Sequence, residues 1–351
     1  MSDEIRRIRA AGDVPLVGDP RLPDAQWNAV RGLAATAQVP RDAAWASLTS
    51  GSSGTPRVVL RTHASWRASF PAVAGLLAAG SDDAVALPAP PSSSLTLFSL
   101  AHALDGGPRP VLGRGGAGAS CFHGTPQGLR ALLDTDGPTT VRTALVGGSA
   151  LDRGLRADAE ARGIRVVGYY GAAELSFVAV DHGTGLRPFP GVDLRVSGGE
   201  LWVRSPYVAL GYLGRTGPLR RDGEWATVGD LAETVAGTVR LRGRADGAIQ
   251  TASATVLPEE VEAALRQLPG VADAVVVGVP TPGVGAVVAA VVETGSDGAA
   301  GLRRAAAARL APASRPRVWY TGALPRTPAG KPARAEVLRR VLAGEVDRLV
   351  G

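Results

Sequence analysis

The chain has 351 residues, 45% hydrophobic and 20% charged, with 46 glycines and 26 prolines, which excludes a disordered chain or a mini-protein scaffold and predicts two or three loop-rich domains. Its single cysteine, Cys121, excludes an intramolecular disulfide, and its four scattered histidines offer no zinc-binding spacing, so a cytoplasmic enzyme is expected. The formal net charge of +6 is spread over both halves of the chain, a poor basis for nucleic-acid binding.

The N-terminal sequence MSDEIRRIRA has no apolar core of signal-peptide length, and the most apolar tract, residues 284–292, is too short to cross a bilayer, so a soluble, untargeted protein is expected. Residues 1–44 are weakly patterned, with Pro15, Pro20, Pro23 and Pro40 breaking any long helix and a short helix predicted over 24–33, capped by Asp24. Residues 45–48 read as an apolar strand, 49–55 as a polar loop and 58–62 as a second strand. From 64 to about 180, strands (84–87, 141–146, 165–167) alternate with helices (64–79, 125–133, 151–162), which predicts an α/β layer with parallel strands. Between 192 and 242 short β-like runs with glycine turns, such as 199–204 and 237–241, predict a smaller β subdomain.

A new unit follows Gly243: a helix over 258–267, strands over 272–279 and 286–292, a helix over 300–310, a strand over 317–320 and a final helix over 333–349. The expected organisation is therefore a large N-terminal α/β domain with a parallel sheet and a β subdomain, residues 1–243, and a small α+β domain, residues 244–351. The boundary falls between Gly243 and Asp246.

Of the 38 lysine and arginine residues one is a lysine, Lys331, and every other is an arginine. In such a background a retained lysine marks a place where a compact, flexible ammonium has a use, with a chance survivor as the plain alternative. Residues 303–340 hold ten basic side chains against one acid, Glu336. The tract reads most simply as a solvated arginine face; with Trp319 and Tyr320 as its only aromatics it lacks the stacking platform of a single-strand binder, and coenzyme phosphates or an acidic protein would fit it better.

Thr49-Ser50-Gly51-Ser52-Ser53-Gly54-Thr55-Pro56-Arg57 packs hydroxyls and glycines between two strands, where backbone N–H and side-chain O–H groups can converge on an anion. It is not the helix-opening G-x-x-x-x-G-K-[ST] loop, and alone it reads most simply as a connector. Tyr169-Tyr170-Gly171-Ala172-Ala173-Glu174 follows a buried strand and puts Glu174 at its C-terminal end, where α/β sheets build their sites. Gly229-Asp230-Leu231, Gly243-Arg244-Ala245-Asp246 and Ala329-Gly330-Lys331 complete the series.

The order and wording of TSGSSGTPR (49–57), YYGAAE (169–174), GELWVRSPYVALGYL (199–213), GEWATVGDL (223–231), GRADGAIQTASATVLPEEVEAAL (243–265) and LPRTPAGK (324–331) resemble the ANL superfamily of adenylate-forming enzymes, the acyl-CoA synthetases, peptide-synthetase adenylation domains and luciferases. The shortened N-terminal region and the last two tracts look most like compact o-succinylbenzoate-CoA ligases. The resemblance implies that a carboxylate attacks the α-phosphate of ATP to give an acyl-adenylate and pyrophosphate, and that the thiol of CoA, or of a carrier protein's phosphopantetheine, then displaces AMP.

It further implies that Thr49, Ser50, Gly51, Ser52, Ser53, Gly54 and Thr55 wrap the β- and γ-phosphates and that Glu174 holds Mg2+. Gly147, Gly148 and Ser149 would lie along adenine, with Tyr170 and Gly171 also at the nucleotide. Asp230 and Arg244 would take the ribose. Lys331 would bridge the substrate carboxylate and the α-phosphate, and Asp246 would be the hinge of a mobile C-terminal lid. Ser93, Leu95, Tyr169 and Phe177 are the implied acyl-pocket residues.

Four positions depart from the family pattern. Ala173 lacks the hydroxyl that usually precedes the glutamate, and Arg57 replaces a lysine. Ala252-Ser253 replace a glycine pair near the thiol tunnel, and Pro91-Ser92-Ser93-Ser94 replace an aromatic or histidine at the acyl pocket, pointing away from o-succinylbenzoate. The expected activity is an acid–CoA ligase acting on a small or medium carboxylate, with no nucleic acid or membrane partner. A free-standing enzyme loading a carrier protein is the second expectation, the basic 303–340 tract then docking acidic helices. A degenerate, non-catalytic homologue is the third.

Overall fold

Alternating burial sets the first sheet. The computed structural model describes residues 1–19, 22, 24–49, 57–113, 116–135, 139–244, 247–251, 255–281, 285–294, 301–327 and 330–349. Strand Trp45–Thr49 pairs antiparallel with Arg57–Arg61, and Gly211–Tyr212 adds to the far edge of that pair. Trp45 enters the main core, while its neighbour Ala46 joins Val30, Val58, Leu60 and Leu213 on the opposite face, the two-residue period of a strand covered on both sides.

The central sheet has seven strands in the order Arg109–Leu112, Ala84–Leu87, Cys121–Gly124, Thr143–Val146, Arg165–Ala172, Ser176–Asp181 and Arg187–Pro188. The first five run parallel, and each of the last two pairs antiparallel with the strand before it. Three central strands are buried at every residue, as helices on both faces require. Val85, Leu87, Leu145 and Val167 face helices Phe70–Leu77 and Ser94–Leu104; Ala86, Phe122, Ala144 and Val166 face helices Pro126–Leu133 and Arg153–Ala161. Three of these helices start at side-chain caps: the Ser93, Thr125 and Asp152 oxygens accept the N–H groups of Thr96, Gly128 and Leu155 at 3.2, 3.2 and 3.1 Å.

A β subdomain follows, with strands Arg220–Asp222, Trp225–Thr227, Glu200–Arg204, Asp230–Val235 and Thr238–Arg244 in that order and Asp193–Ser197 also paired to Glu200–Arg204. The C-terminal residues form a separate sheet of Val271–Thr281, Gly285–Thr294, Val318–Thr321 and Asp347–Arg348. One face packs on helices Pro258–Leu265 and Leu302–Arg309, the other on Arg334–Leu342. Among the described residues no helix is long and apolar enough to cross a membrane.

The α/β class and the alternation of elements match the sequence reading, with four corrections. The helix expected over 64–79 is two, His63–Arg67 and Phe70–Leu77, because Pro71 has no N–H for an unbroken ladder; the Ser69 hydroxyl takes up the Trp66 carbonyl at the break, at 2.7 Å. The final helix stops at Leu342 rather than 349: the Glu345 N–H turns back to the Arg340 carbonyl at 2.9 Å, and Asp347–Arg348 become an edge strand. Residues 1–44 hold two helices, Ser2–Ala10, which buries Ile5, and Asp24–Thr36, three residues longer than expected at its end. The strand predicted over 165–167 runs to Ala172, because its edge pairs with Ser176–Asp181, a strand that the sequence reading lacked.

Candidate active site

The loops after the parallel strands open at their C-terminal edge onto one cleft of about 2970 Å³, whose opposite wall is the C-terminal unit. Thr49, Arg57, Ser93, Leu95, Gly148, Ser149, Tyr169, Tyr170, Gly171, Glu174, Phe177, Asp230, Arg244 and Lys331 all line it. Ser50, Gly51, Ser52, Ser53, Gly54, Thr55, Asp246, Ala252 and Ser253 lie outside the described residues.

At the polar end Tyr170 donates its hydroxyl to the Asp230 carboxylate, and the Arg244 guanidinium stands 3.9 Å from the other oxygen. Burial raises the Asp230 pKa, while the Tyr170 hydrogen bond and the Arg244 charge pull it back down. Burial, with the adjoining Asp230, drives the Tyr170 hydroxyl well above the ordinary tyrosine value, so it remains a donor at neutral pH. Asp230 opens strand Asp230–Val235 directly opposite Arg244, so the ladder itself brings the acid and the base together.

Lys331 reaches across from the C-terminal unit. Its loop is pinned by a two-way exchange, the Thr327 N–H to the Lys331 carbonyl at 2.7 Å and the Lys331 N–H to the Thr327 hydroxyl at 3.2 Å. A Cβ placed on Gly148 would lie 3.6 Å from Lys331 Cε, which sets the lysine stem against the loop after strand Thr143–Val146. The residue is exposed to the cleft, yet crowding by both walls displaces bulk water and lowers its pKa, Asp230 and Glu174 opposing the shift.

Glu174 is buried at the end of the hairpin that joins Arg165–Ala172 to Ser176–Asp181. Its Oε1 accepts the Tyr212 hydroxyl at 2.8 Å, which fixes the rotamer. Behind it Arg61, fully buried, donates to the Ala173 and Tyr207 carbonyls, and burial lowers its pKa to about 9 against the favourable charge of Glu174. The motif's Gly171 has a structural use of its own. A Cβ there would stand 2.1 Å from the Ser176 carbonyl, so only glycine lets the hairpin close.

At the apolar end Ser93 is spent as a helix cap, its hydroxyl donating to the Pro90 carbonyl at 2.7 Å and accepting from Thr96. Tyr169 and Phe177 sit in a ring cluster with Phe98, His123 and Phe189, at centroid separations of 4.7 to 6.2 Å. His123 was not among the sequence candidates, and neither were Tyr212 and Arg61. Tyr212 lies inside the quoted GELWVRSPYVALGYL tract and was legible there; the others come from strands with no motif of their own.

The basic tract is largely consumed by structure. Arg326 pairs with Asp273 at 3.0 Å and Glu293 at 2.7 Å, Arg334 with Glu259 and Glu262 at 2.6 Å, Arg339 with Glu336 and Glu345 at 2.8 Å, and Arg315 caps the carbonyls of Leu310 and Ala307. The surplus seen in sequence arises because most of these acids lie outside residues 303–340.

The AMP-binding enzyme family model matches residues 12–213, and the AMP-binding enzyme C-terminal domain model matches residues 260–331. A probable 2-succinylbenzoate–CoA ligase of Mycobacterium tuberculosis is 31% identical over 377 aligned positions, covering 98% of this chain and 95% of that protein. An uncharacterized acyl–CoA ligase of Bacillus subtilis, YhfT, is 29% identical, covering 82% of this chain and 67% of its own length. In fold the chain is similar to an Escherichia coli MenE variant with bound OSB-AMS, with a TM-score of 0.81 at 22% identity over 96% of this chain and 84% of that one.

Proposed function

The chain belongs to the AMP-binding enzyme family, and from that premise we propose that it is an ATP-dependent acid–CoA ligase, working through an acyl-adenylate, with Lys331, Asp230, Tyr170 and Glu174 as its working side chains. The observation that carries the reading is the meeting of the chain's one lysine with the Tyr170–Asp230–Arg244 group across a single cleft. We divide the protein at 243/244 into a core and a lid that carries Lys331.

In the first step a carboxylate oxygen of the acid bonds to the α-phosphorus of ATP as the bond from that phosphorus to the bridging oxygen breaks, and pyrophosphate leaves. Lys331 places its ammonium beside the carboxylate and the α-phosphate, where negative charge is concentrated in the transition state. Asp230, held by Tyr170, accepts the ribose hydroxyls, and Thr49 and Arg57 face the outer phosphates. In the second step the CoA sulfur, its proton released to solvent, bonds to the acyl carbon as the bond from that carbon to the phosphate oxygen breaks, and AMP departs with that oxygen. Each step needs charges held in place more than protons moved, which suits a site of one ammonium, two guanidiniums and two carboxylates.

Glu174 fits Mg2+: its carboxylate faces the cleft with one oxygen fixed by Tyr212 and the other without a hydrogen-bond partner among the described residues. Mg2+ is an ion that takes one or two carboxylates and completes its shell with phosphate and water. The bound ion would offset phosphate charge there. A cytoplasmic location accords with the lone, buried Cys121, whose pKa burial raises to about 12. Transfer to a carrier protein is the weaker reading, because most of the arginines that would dock it are engaged within the fold.

Incubation with ATP, Mg2+, CoA and a panel of carboxylic acids, with mass detection of acyl-CoA and AMP, tests the proposal. Acid-dependent formation of both supports it; AMP without acyl-CoA in every reaction refutes the acceptor, and neither product refutes the ligase.

A further inference from the structure

The apolar end of the cleft carries a hydrogen-bonded chain that the adenylation chemistry leaves unused. Ser99 Oγ lies 2.8 Å from His123 Nδ1, and His123 Nε2 lies 3.0 Å from the Tyr169 hydroxyl. His123 is 1% exposed and Ser99 4% exposed, while Tyr169 reaches the cleft. A neutral imidazole donates from one nitrogen and accepts at the other, so the chain runs in one of two directions.

Burial decides the direction. The Ser99 hydroxyl has no other acceptor among the described residues, and a buried donor without a partner is costly, so Ser99 donates to Nδ1. Nε2–H then donates to the Tyr169 oxygen, and the Tyr169 O–H is left to point a donor into the cleft. Burial holds His123 neutral, with a pKa lowered to about 3, which keeps the chain in this form at neutral pH.

Tyr169 also lies close to the reacting end. Its ring sits on Gly147, where an added Cβ would come within 2.3 Å of Cζ, and the Lys331 stem sits on the adjoining Gly148. A carboxylate held at Lys331 therefore begins its tail at Tyr169. Beyond it the rings of Phe98, Phe177 and Phe189, each at least 96% buried, close the floor. Among the described residues at this end, Trp66, Ser93, Leu95, Phe98, Tyr169 and Phe177, none carries a charge. The buried Arg61, whose guanidinium is 5.6 Å from the Trp66 ring, spends its donors on backbone carbonyls.

We propose that this pocket selects a compact monocarboxylic acid whose uncharged tail bears a hydrogen-bond acceptor close to the carboxylate, gripped by the Tyr169 hydroxyl that His123 and Ser99 hold in position. The inference rests on the ligase reading. Tyr169 touches the substrate; His123 and Ser99 are positioning residues. A second carboxylate or an ammonium on the tail would be desolvated there without a counter-charge, and a long chain would meet the ring floor.

The test is acid-dependent pyrophosphate release with matched acids: a keto acid, its methylene analogue and its dicarboxylate analogue, of which benzoylpropanoate, phenylbutanoate and 2-succinylbenzoate form one set. The expected order of kcat/KM is keto acid over methylene analogue by about 10-fold, and over the dicarboxylate by about 100-fold or more. Tyr169→Phe raises KM for the keto acid about 10-fold, leaves its KM for ATP unchanged and erases the preference for the keto oxygen. His123→Phe does the same without adding to Tyr169→Phe, and His123→Gln, which can bond both neighbours, restores part of the preference. Preference for the dicarboxylate, or an equal loss for every acid in Tyr169→Phe, overturns the inference and leaves the ligase reading standing. Release with none of the acids overturns both.

Discussion

Gly147→Ala replaces a hydrogen with a methyl group where Tyr169 already fills the space. The new Cβ would stand 2.3, 2.4 and 2.6 Å from the Tyr169 ring atoms Cζ, Cε1 and Cε2. Ordinary contact begins near 3.4 Å, so the ring must retreat by more than about 1 Å. It has little room, being 4.7 Å from the Phe177 centroid and 3.0 Å from His123 Nε2. Overpacking of this type costs about 1 to 3 kcal/mol, and the lost hydrogen bond adds about 1 kcal/mol. The expected total, about 2 to 4 kcal/mol, is a large share of a typical domain's stability of roughly 5 to 15 kcal/mol. Urea denaturation followed by circular dichroism measures it, in a cycle with Tyr169→Ala and Tyr169→Phe. The alanine, which removes both ring and hydroxyl, should recover most of the Gly147→Ala penalty, about 2 kcal/mol or more, and the phenylalanine, which keeps the ring and lacks only the hydrogen bond, about 1 kcal/mol. Equal stability of Gly147→Ala and the parent, or recovery by Tyr169→Phe as large as by Tyr169→Ala, would refute the reasoning.

Other outcomes follow from the same geometry. Because His123 binds its proton with a folded pKa of about 3 against about 6.5 when unfolded, the unfolded chain holds the extra proton between those values; its share of stability is complete above pH 6.5 and falls as pH drops, by about 2 to 3 kcal/mol at pH 4.5. Urea midpoints against pH should flatten by that amount in His123→Phe, and an unchanged slope contradicts the assignment. Glu262 is 4% exposed and accepts from Arg334 at 2.6 Å and from the Val276 N–H at 2.9 Å, so Arg334→Ala should cost about 2 to 4 kcal/mol and Arg334→Ala/Glu262→Gln less, as denaturation of each variant will show. Glu174→Gln should weaken the Mg2+ dependence of pyrophosphate release, raising the half-saturating Mg2+ concentration at least about 10-fold; an unaltered Mg2+ titration would remove Glu174 from that role.

The α/β layer was legible because buried parallel strands are short unbroken apolar runs, as in Ala84–Leu87, and because Thr125 and Asp152 announce their helices. Elements whose limits depend on a partner were not. Arg165–Ala172 is long only because Ser176–Asp181 lies beside it, and Asp347–Arg348 is a strand only because Val318–Thr321 offers an edge. The polar part of the site could be read as motifs, since Asp230, Arg244, Glu174 and Lys331 sit in short distinctive stretches of sequence. The Ser99–His123–Tyr169 chain was beyond sequence reasoning, because it joins a helix and two strands through side chains separated by 24 and 46 positions. The ion pairs of the arginine-rich tract were illegible for the same reason, their acids being distant in sequence and adjacent in space.

Exchange of labelled pyrophosphate into ATP in the presence of an accepted acid, compared between the parent and Lys331→Ala, tests the central claim most directly. The account predicts acid-dependent exchange in the parent and a drop of about 100- to 1000-fold in the variant, with ATP binding retained through Asp230 and Tyr170. Exchange that survives the loss of Lys331 would contradict it.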